Sequence, residues 1–172
     1  MCAGRGERTI TAMTITSAPP TLVPTGRLRR WMQITGAFYL LQFVMLVFVR
    51  APIRTFGPTG TLERADRGDD LAEFVVDTWT FFGLEILAVG LILLLAIRRG
   101  ELALGAIYTV LAIELSRGIV ADLYQIARGV NVGGYAVWVA VHTTVLLTGI
   151  HCLRDARRRG SVGAARVVTV GP

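Results

Sequence analysis

The sequence predicts an all-α fold: a four-helix transmembrane bundle, up-down and antiparallel, with both termini cytoplasmic. Three observations carry that expectation. Of 172 residues, 53% are hydrophobic and only 17% are charged, where a soluble domain carries about 25% charged residues. The apolar residues gather in four long runs, none of which contains Pro. The 18 basic residues are all Arg and collect at the ends of those runs, the pattern expected of topology signals.

The chain opens on a segment, residues 1–28, rich in Thr, Ala and Pro. Pro19, Pro20 and Pro24 interrupt any helix there, so the expectation is a disordered cytoplasmic tail. It lacks the apolar core of a signal peptide. Met13 is an alternative start to Met1, which would place Cys2 in an extension. The four-helix domain is expected over 29–155, with spans at about 31–49, 74–97, 102–124 and 132–153. Each run holds about the 20 residues needed to cross ~30 Å of hydrocarbon at ~1.5 Å per residue. Spans of this length satisfy their own backbone only as helices.

Pro52, Gly57, Pro58 and Gly60 break the chain after the first span. Gly100 marks the second turn, and Gly129, Gly133 and Gly134 mark the third. Those two short connections imply antiparallel neighbours. The long loop 50–73 mixes charges of both signs and reads as a solvated lid, or else a gate, in which Thr61 would cap a short helix. Residues 156–172 form a basic tail. Twelve Arg fall on the side of the two termini and five on the other, with Arg117 inside the third span. That bias puts both termini in the cytoplasm.

Several function classes drop out. Arg at span ends is not a nucleic-acid surface. Two cysteines, Cys2 and Cys152, make no disulfide framework. No phosphate-binding loop, dinucleotide fingerprint, Gly-x-Ser-x-Gly or Cys-x-x-Cys is present.

The informative residues are ionisable ones inside the spans: Glu85 in the second, Glu114 and Arg117 in the third, His142 in the fourth. All four fall at similar depth. Asp77, Asp122 and Tyr124 form a second polar layer toward the outer face. A charge at a helix centre costs roughly 2.5–3.5 kcal/mol, while a Leu, Ile or Val returns only about 0.3–0.6. The ten Leu, Ile and Val residues of the third span do not carry Glu114, Arg117 and Asp122 across alone. That helix must pair its charges. Glu114 and Arg117, at i and i+3, share a face of an α-helix, and Tyr124 recurs on it. Tyr135, Trp138 and His142 make one stripe on the fourth helix. A Glu85–Arg117–Glu114 network with His142 beside it is the expected arrangement. The alternative is that the charges only lock helix register.

A metal is not expected. Arg117 would repel a cation, and the paired Glu-x-x-His motifs of a di-iron bundle are absent. His142 and His151 are nine residues apart and lie on opposite faces of one helix, so one chain cannot clamp a haem with both. A quinone is the cofactor-like molecule that fits such a site.

The stretch Arg30–Met45 with its exit Arg50–Pro58 resembles the BphX-like family, as do Asp77-Thr-Trp79, Phe82-Gly-Leu-Glu85 and Glu114-Leu-Ser-Arg-Gly-Ile-Val-Ala-Asp122. The resemblance covers roughly residues 29–155. It implies a small bacterial membrane protein with four spans, named from biphenyl-degradation gene clusters, and it transfers no catalytic residue. Gly83-Leu-Glu85 running into Gly90-Leu-Ile-Leu-Leu is also broadly similar to DoxX/DoxD-like four-helix proteins, some of which accompany quinone-linked oxidoreductases.

The functional expectation is a non-enzymatic accessory protein that binds or passes a small apolar or aromatic molecule, or a quinone, at the Glu/Arg/His cluster. A proton-coupled transporter with Glu85 or Glu114 as carrier is the second reading, and a membrane scaffold or assembly partner the third. The expected partners are the bilayer, the small molecule, and another copy or a membrane protein.

Overall fold

A computed structural model describes residues 22–24 and 26–168, with side chains to Arg159. Cys2, Met13 and the rest of 1–21 lie outside the described residues, as do 169–172. Among the described residues the chain is helical, without strands.

Helix α1, Gly26–Val47, begins earlier than the apolar run does. Leu28 is buried to 1% exposure in the core, which pulls the first turn out of the expected tail. The helix buries Leu28, Trp31, Met32, Thr35, Gly36, Tyr39 and Leu46, largely against α4, Asp70–Ala96. Small residues permit this approach. A Cβ on Gly90 would stand 3.0 Å from Tyr39 Cβ, and one on Gly83 would stand 2.7 Å from Val47 Cγ2.

The connection carries two short helices, α2 (Ala51–Phe56) and α3 (Thr61–Ala65). Arg50 turns the chain with φ 54°, and Pro52 sits in the first turn of α2. Thr61 does not cap α3. Gly60 takes that position at φ 77°, and Thr61 Oγ1 donates to Pro58 O at 2.6 Å. The effective cap is Asp69, ahead of α4. Its Oδ1 accepts from Ala72 N at 3.0 Å, and its Oδ2 is held by Arg64 at 2.7 Å. The Arg64 hydrogen bonds and the Ala72 N–H together keep the Asp69 carboxyl below the usual carboxylate range.

After a tight turn, one rod runs from α5 (Gly100–Ile113) through a π-helical turn (Glu114–Val120) into α6 (Ala121–Ala127). Gly129 (φ 74°) and Asn131 (φ 34°) reverse the chain. Asn131 Oδ1 accepts from Gly134 N, and its Nδ2 donates to Thr55 O, both at 3.2 Å. The entry of α7 is thereby tied to α2. Helix α7, Val132–Val168, runs well past the expected end of the fourth span into the segment read as a tail. Asp155 anchors that extension, with Arg27 of α1 at 3.6 Å and Arg159, one turn on, at 3.8 Å.

Each long helix packs on the next, and α7 closes back onto α1. Trp31 Nε1 donates to Val145 O at 3.2 Å across that seam. Gly149 makes room, since a Cβ there would lie 2.5 Å from Trp31 Cζ2. Met32, Leu93, Ile107 and Val110 fill the centre. Among the described residues, three helical stretches are long and apolar enough to cross a membrane: Asp70–Ala96, Gly100–Ala127 and Val132–Arg159. Four were expected. Helix α1 has the length, about 33 Å for 22 residues at ~1.5 Å each, but Gln33, Thr35, Tyr39 and Gln42 interrupt its apolar run.

Candidate functional site

The π-helical turn decides which side chains meet. Its backbone bonds run i→i+5, so each residue advances by less rotation than in an α-helix. Ser116 Oγ donates to Ala112 O at 2.8 Å, a local bond that competes with the regular ladder. Glu114 and Gly118 are buried, while Leu115, Ser116 and Arg117 are exposed. The expectation that Glu114 and Arg117 share a face therefore fails. It assumed α-helical rotation where the chain is wound wider.

The polar network accordingly divides in two. The inner part is built on Glu114, whose side chain is fully enclosed. Tyr39, from α1, donates its hydroxyl to Glu114 Oε1. His142, from α7, places Nδ1 2.6 Å from Glu114 Oε2. The other ring nitrogen, Nε2, lies 3.8 Å from Asp122 Oδ2 on α6. That Asp122 oxygen is buried and has no hydrogen-bond partner. One imidazole thus stands between two carboxylates supplied by a single helical rod. Trp138, one turn earlier on α7, lies against the ring at 5.7 Å and 30°, and Phe38 lies 6.4 Å beyond it. Gly118 is the floor, because a Cβ there would come within 2.4 Å of His142 Cγ.

The outer part is the pair Glu85–Arg117, joined through Glu85 Oε2 and Arg117 Nη1. Their side chains are 60% and 52% exposed. The guanidinium also lies over the Phe82 ring at 5.0 Å. So Glu85 and Arg117 meet as expected, but Glu114 and His142 are not part of their network.

The expected second layer does not form a unit. Asp122 belongs to the inner cluster. Asp77 is exposed and makes no hydrogen bond or ion pair among the described residues. Tyr124 is exposed, and its ring faces the Arg128 guanidinium at 5.7 Å. Continued rotation from Arg117 was assumed to carry Tyr124 onto the charged face, and the π-turn removes that premise. Among the described residues no group of three His, Cys, Asp or Glu is set to hold a metal ion.

Tyr39 is the member that sequence reasoning missed. A signal existed: Trp31, Thr35 and Tyr39 recur every four residues on α1 and give one face polar tips. Chemically, the inner cluster gathers three side chains, Glu114, His142 and Asp122, that are each capable of carrying a proton. Glu114 and Asp122 both ionised beside a neutral imidazole carry two negative charges in an enclosed space, and each proton taken up removes one. Arg117, turned away, offsets neither.

The chain matches the family described as BphX-like over residues 26–158. No curated protein and no solved structure matches it.

Proposed function

The chain belongs to the BphX-like family, and we propose that it is a bacterial inner-membrane protein that couples proton uptake to the passage of a small apolar molecule. In this reading α1 is a fourth span of an up-down bundle with both termini in the cytoplasm, as the Arg distribution favours. The observation that carries the proposal is His142 between Glu114 and Asp122, with the Asp122 Oδ2 buried and unpartnered. A buried carboxylate oxygen without a donor is costly. A proton on the Asp122–His142 side relieves that cost, and its departure restores it. Such a cluster alternates between two charge states, which is what coupling requires. Ionisable residues inside a membrane mark proton relays and substrate paths more often than simple packing.

A small aromatic compound or quinone is the cargo that suits Phe38 and Trp138 beside the imidazole. The polar atoms of Glu114 are engaged by Tyr39 and His142. A ligand at this place therefore displaces one of them, and a proton compensates the charge left behind.

The test is proton movement in proteoliposomes that contain a pH-sensitive dye, under an imposed pH gradient, with and without a short-chain benzoquinone or biphenyl. Ligand-dependent acidification that is lost in Glu114→Gln and in Asp122→Asn is expected. Acidification equal to that of empty vesicles, from a correctly folded wild type, would overturn the proposal.

A further inference from the structure

The outer ion pair poses a problem that a lone chain in lipid does not solve. Glu85 is the sixteenth of 27 residues in α4, and Arg117 the eighteenth of 28 from Gly100 to Ala127. Both therefore lie deep inside membrane-length helices, yet both are more than half exposed. A guanidinium has five N–H donors, and Glu85 accepts from Nη1 alone. The remaining donors, and the free lone pairs of Glu85, find no partner among the described residues, and hydrocarbon offers them none.

The surface around the pair is shaped for close helix contact. On α4, Thr78, Phe81, Glu85, Ala88 and Ile92 form one exposed stripe at helical spacing. On the adjoining rod, Gly105, Thr109, Ala112 and Ser116 form another, all small and all exposed. Between the stripes runs a groove of about 320 Å³ whose walls include Val89, Ile92, Leu102, Gly105 and Thr109, with Glu101 at its α5 end. A Cβ on Gly105 would meet nothing within 4 Å, so the chain itself leaves that space open. Small residues on such a face let two backbones approach, and polar groups at the seam find partners across it.

We propose that the α4–α5 face is a homodimer interface inside the membrane. The occupant is argued from charge. At mid-depth this face presents one carboxylate and one guanidinium at neighbouring positions, with Glu101 apart from them in the first turn of α5, so the deep pair is neutral and complementary to itself. A two-fold contact sets Arg117 against Glu85 of the partner subunit, and the reverse, using the donors and lone pairs that each chain leaves free. Two-fold interfaces pair a patch with its own copy, and no partner of another sequence is needed to supply the complement. The proton cluster faces the opposite side of the same rod, so the dimer does not rest on the functional proposal above.

Cross-linking in native membranes tests this, in full-length chain with Cys2→Ser and Cys152→Ser. Thr109→Cys, on the proposed face, is expected to give a disulfide-linked dimer. Leu147→Cys, exposed on α7, is not. Single-molecule photobleaching in lipid vesicles then measures association. Glu85→Arg is expected to weaken it at least tenfold, and Glu85→Arg with Arg117→Glu to restore it. Gly105→Leu is also expected to weaken it at least tenfold, and the open space there keeps the monomer fold intact. Three results would overturn the proposal: a cross-link from Thr109→Cys to a different protein, cross-linking as strong from Leu147→Cys, or a wild type that is monomeric at every lipid dilution.

Discussion

Glu114 and Arg117 are three residues apart on one helical rod, yet Glu114 is 1% exposed in the core and Arg117 stands on the outer surface. The π-helical turn that carries both separates an enclosed, acid-rich cluster from an exposed ion pair. An uninterrupted α-helix would have kept the two charges within reach of each other, and each would have neutralised the other. With Arg117 turned out, His142 is the basic side chain that faces Glu114 and Asp122.

Removing His142 exposes that dependence. In His142→Ala, Glu114 keeps Tyr39 but loses its second partner, and Asp122 loses the imidazole that faces it. Leaving a buried polar group without its partner costs about 1–3 kcal/mol, read as a lower midpoint in thermal unfolding in detergent. Adding Glu114→Gln to His142→Ala should return much of the loss, because the charge left stranded is gone. A double variant no more stable than His142→Ala would mean that the ring acts by packing alone.

How much of this was legible from the sequence depends on the kind of information involved. The long helices follow from apolar runs and from breakers such as Pro52, Gly60 and Gly129, which act locally. The ionisable residues of the site were visible because charge is rare in apolar runs. Who pairs with whom was not visible, because pairing depends on helical phase, and a π-turn changes phase without a compositional mark. The Tyr39 contact spans 75 positions, and periodicity within one helix does not reveal such partners. The apolar run of α1 resembles the others, and its polar tips are spent inside the bundle, Trp31 on α7 and Tyr39 on the cluster.

Gly118 should tolerate no side chain. The Cβ of Gly118→Ala would lie 2.4 Å from His142 Cγ, and a ring wedged against Trp138 has little room to retreat. Overpacking of this kind costs typically 1–3 kcal/mol, and the displaced ring should lose Glu114 and, with it, ligand-dependent proton movement. Gly105→Ala is the internal comparison. Its Cβ meets nothing, and an Ala in a helix interior is favoured over Gly by roughly 0.5–1 kcal/mol. Thermal unfolding of the two variants should therefore move in opposite directions.

Asp69 ties the start of α4 to pH. Its carboxyl is lowered on folding by the Arg64 hydrogen bonds and then by the Ala72 N–H. A carboxyl whose pKa falls on folding stabilises the folded form above its unfolded value, and that contribution disappears as pH drops through the folded value. The cap should hold at neutral pH and fray below the usual carboxylate range, about 4. Hydrogen exchange at Ala72 and Glu73 measures it. Exchange corrected for intrinsic rate should accelerate at low pH in the wild type. In Asp69→Asn, whose side chain does not titrate, it should lose that dependence.

Tyr39 separates a structural role in the cluster from a proton-handling one. Tyr39→Phe keeps the ring, which is 2% exposed between α1 and α4, and deletes only the donor to Glu114 Oε1. A hydrogen bond to a charged group contributes about 1.5–3 kcal/mol, so stability should fall by that order. Infrared difference spectra across a pH titration report whether Glu114 takes part in proton exchange, through the carbonyl stretch of a protonated carboxyl. A transition in that band that differs between Tyr39→Phe and the wild type would place Glu114 among the groups that exchange the proton. A transition unchanged beside an equal loss of stability would leave Glu114 as a fixed structural charge and confine the exchange to His142 and Asp122.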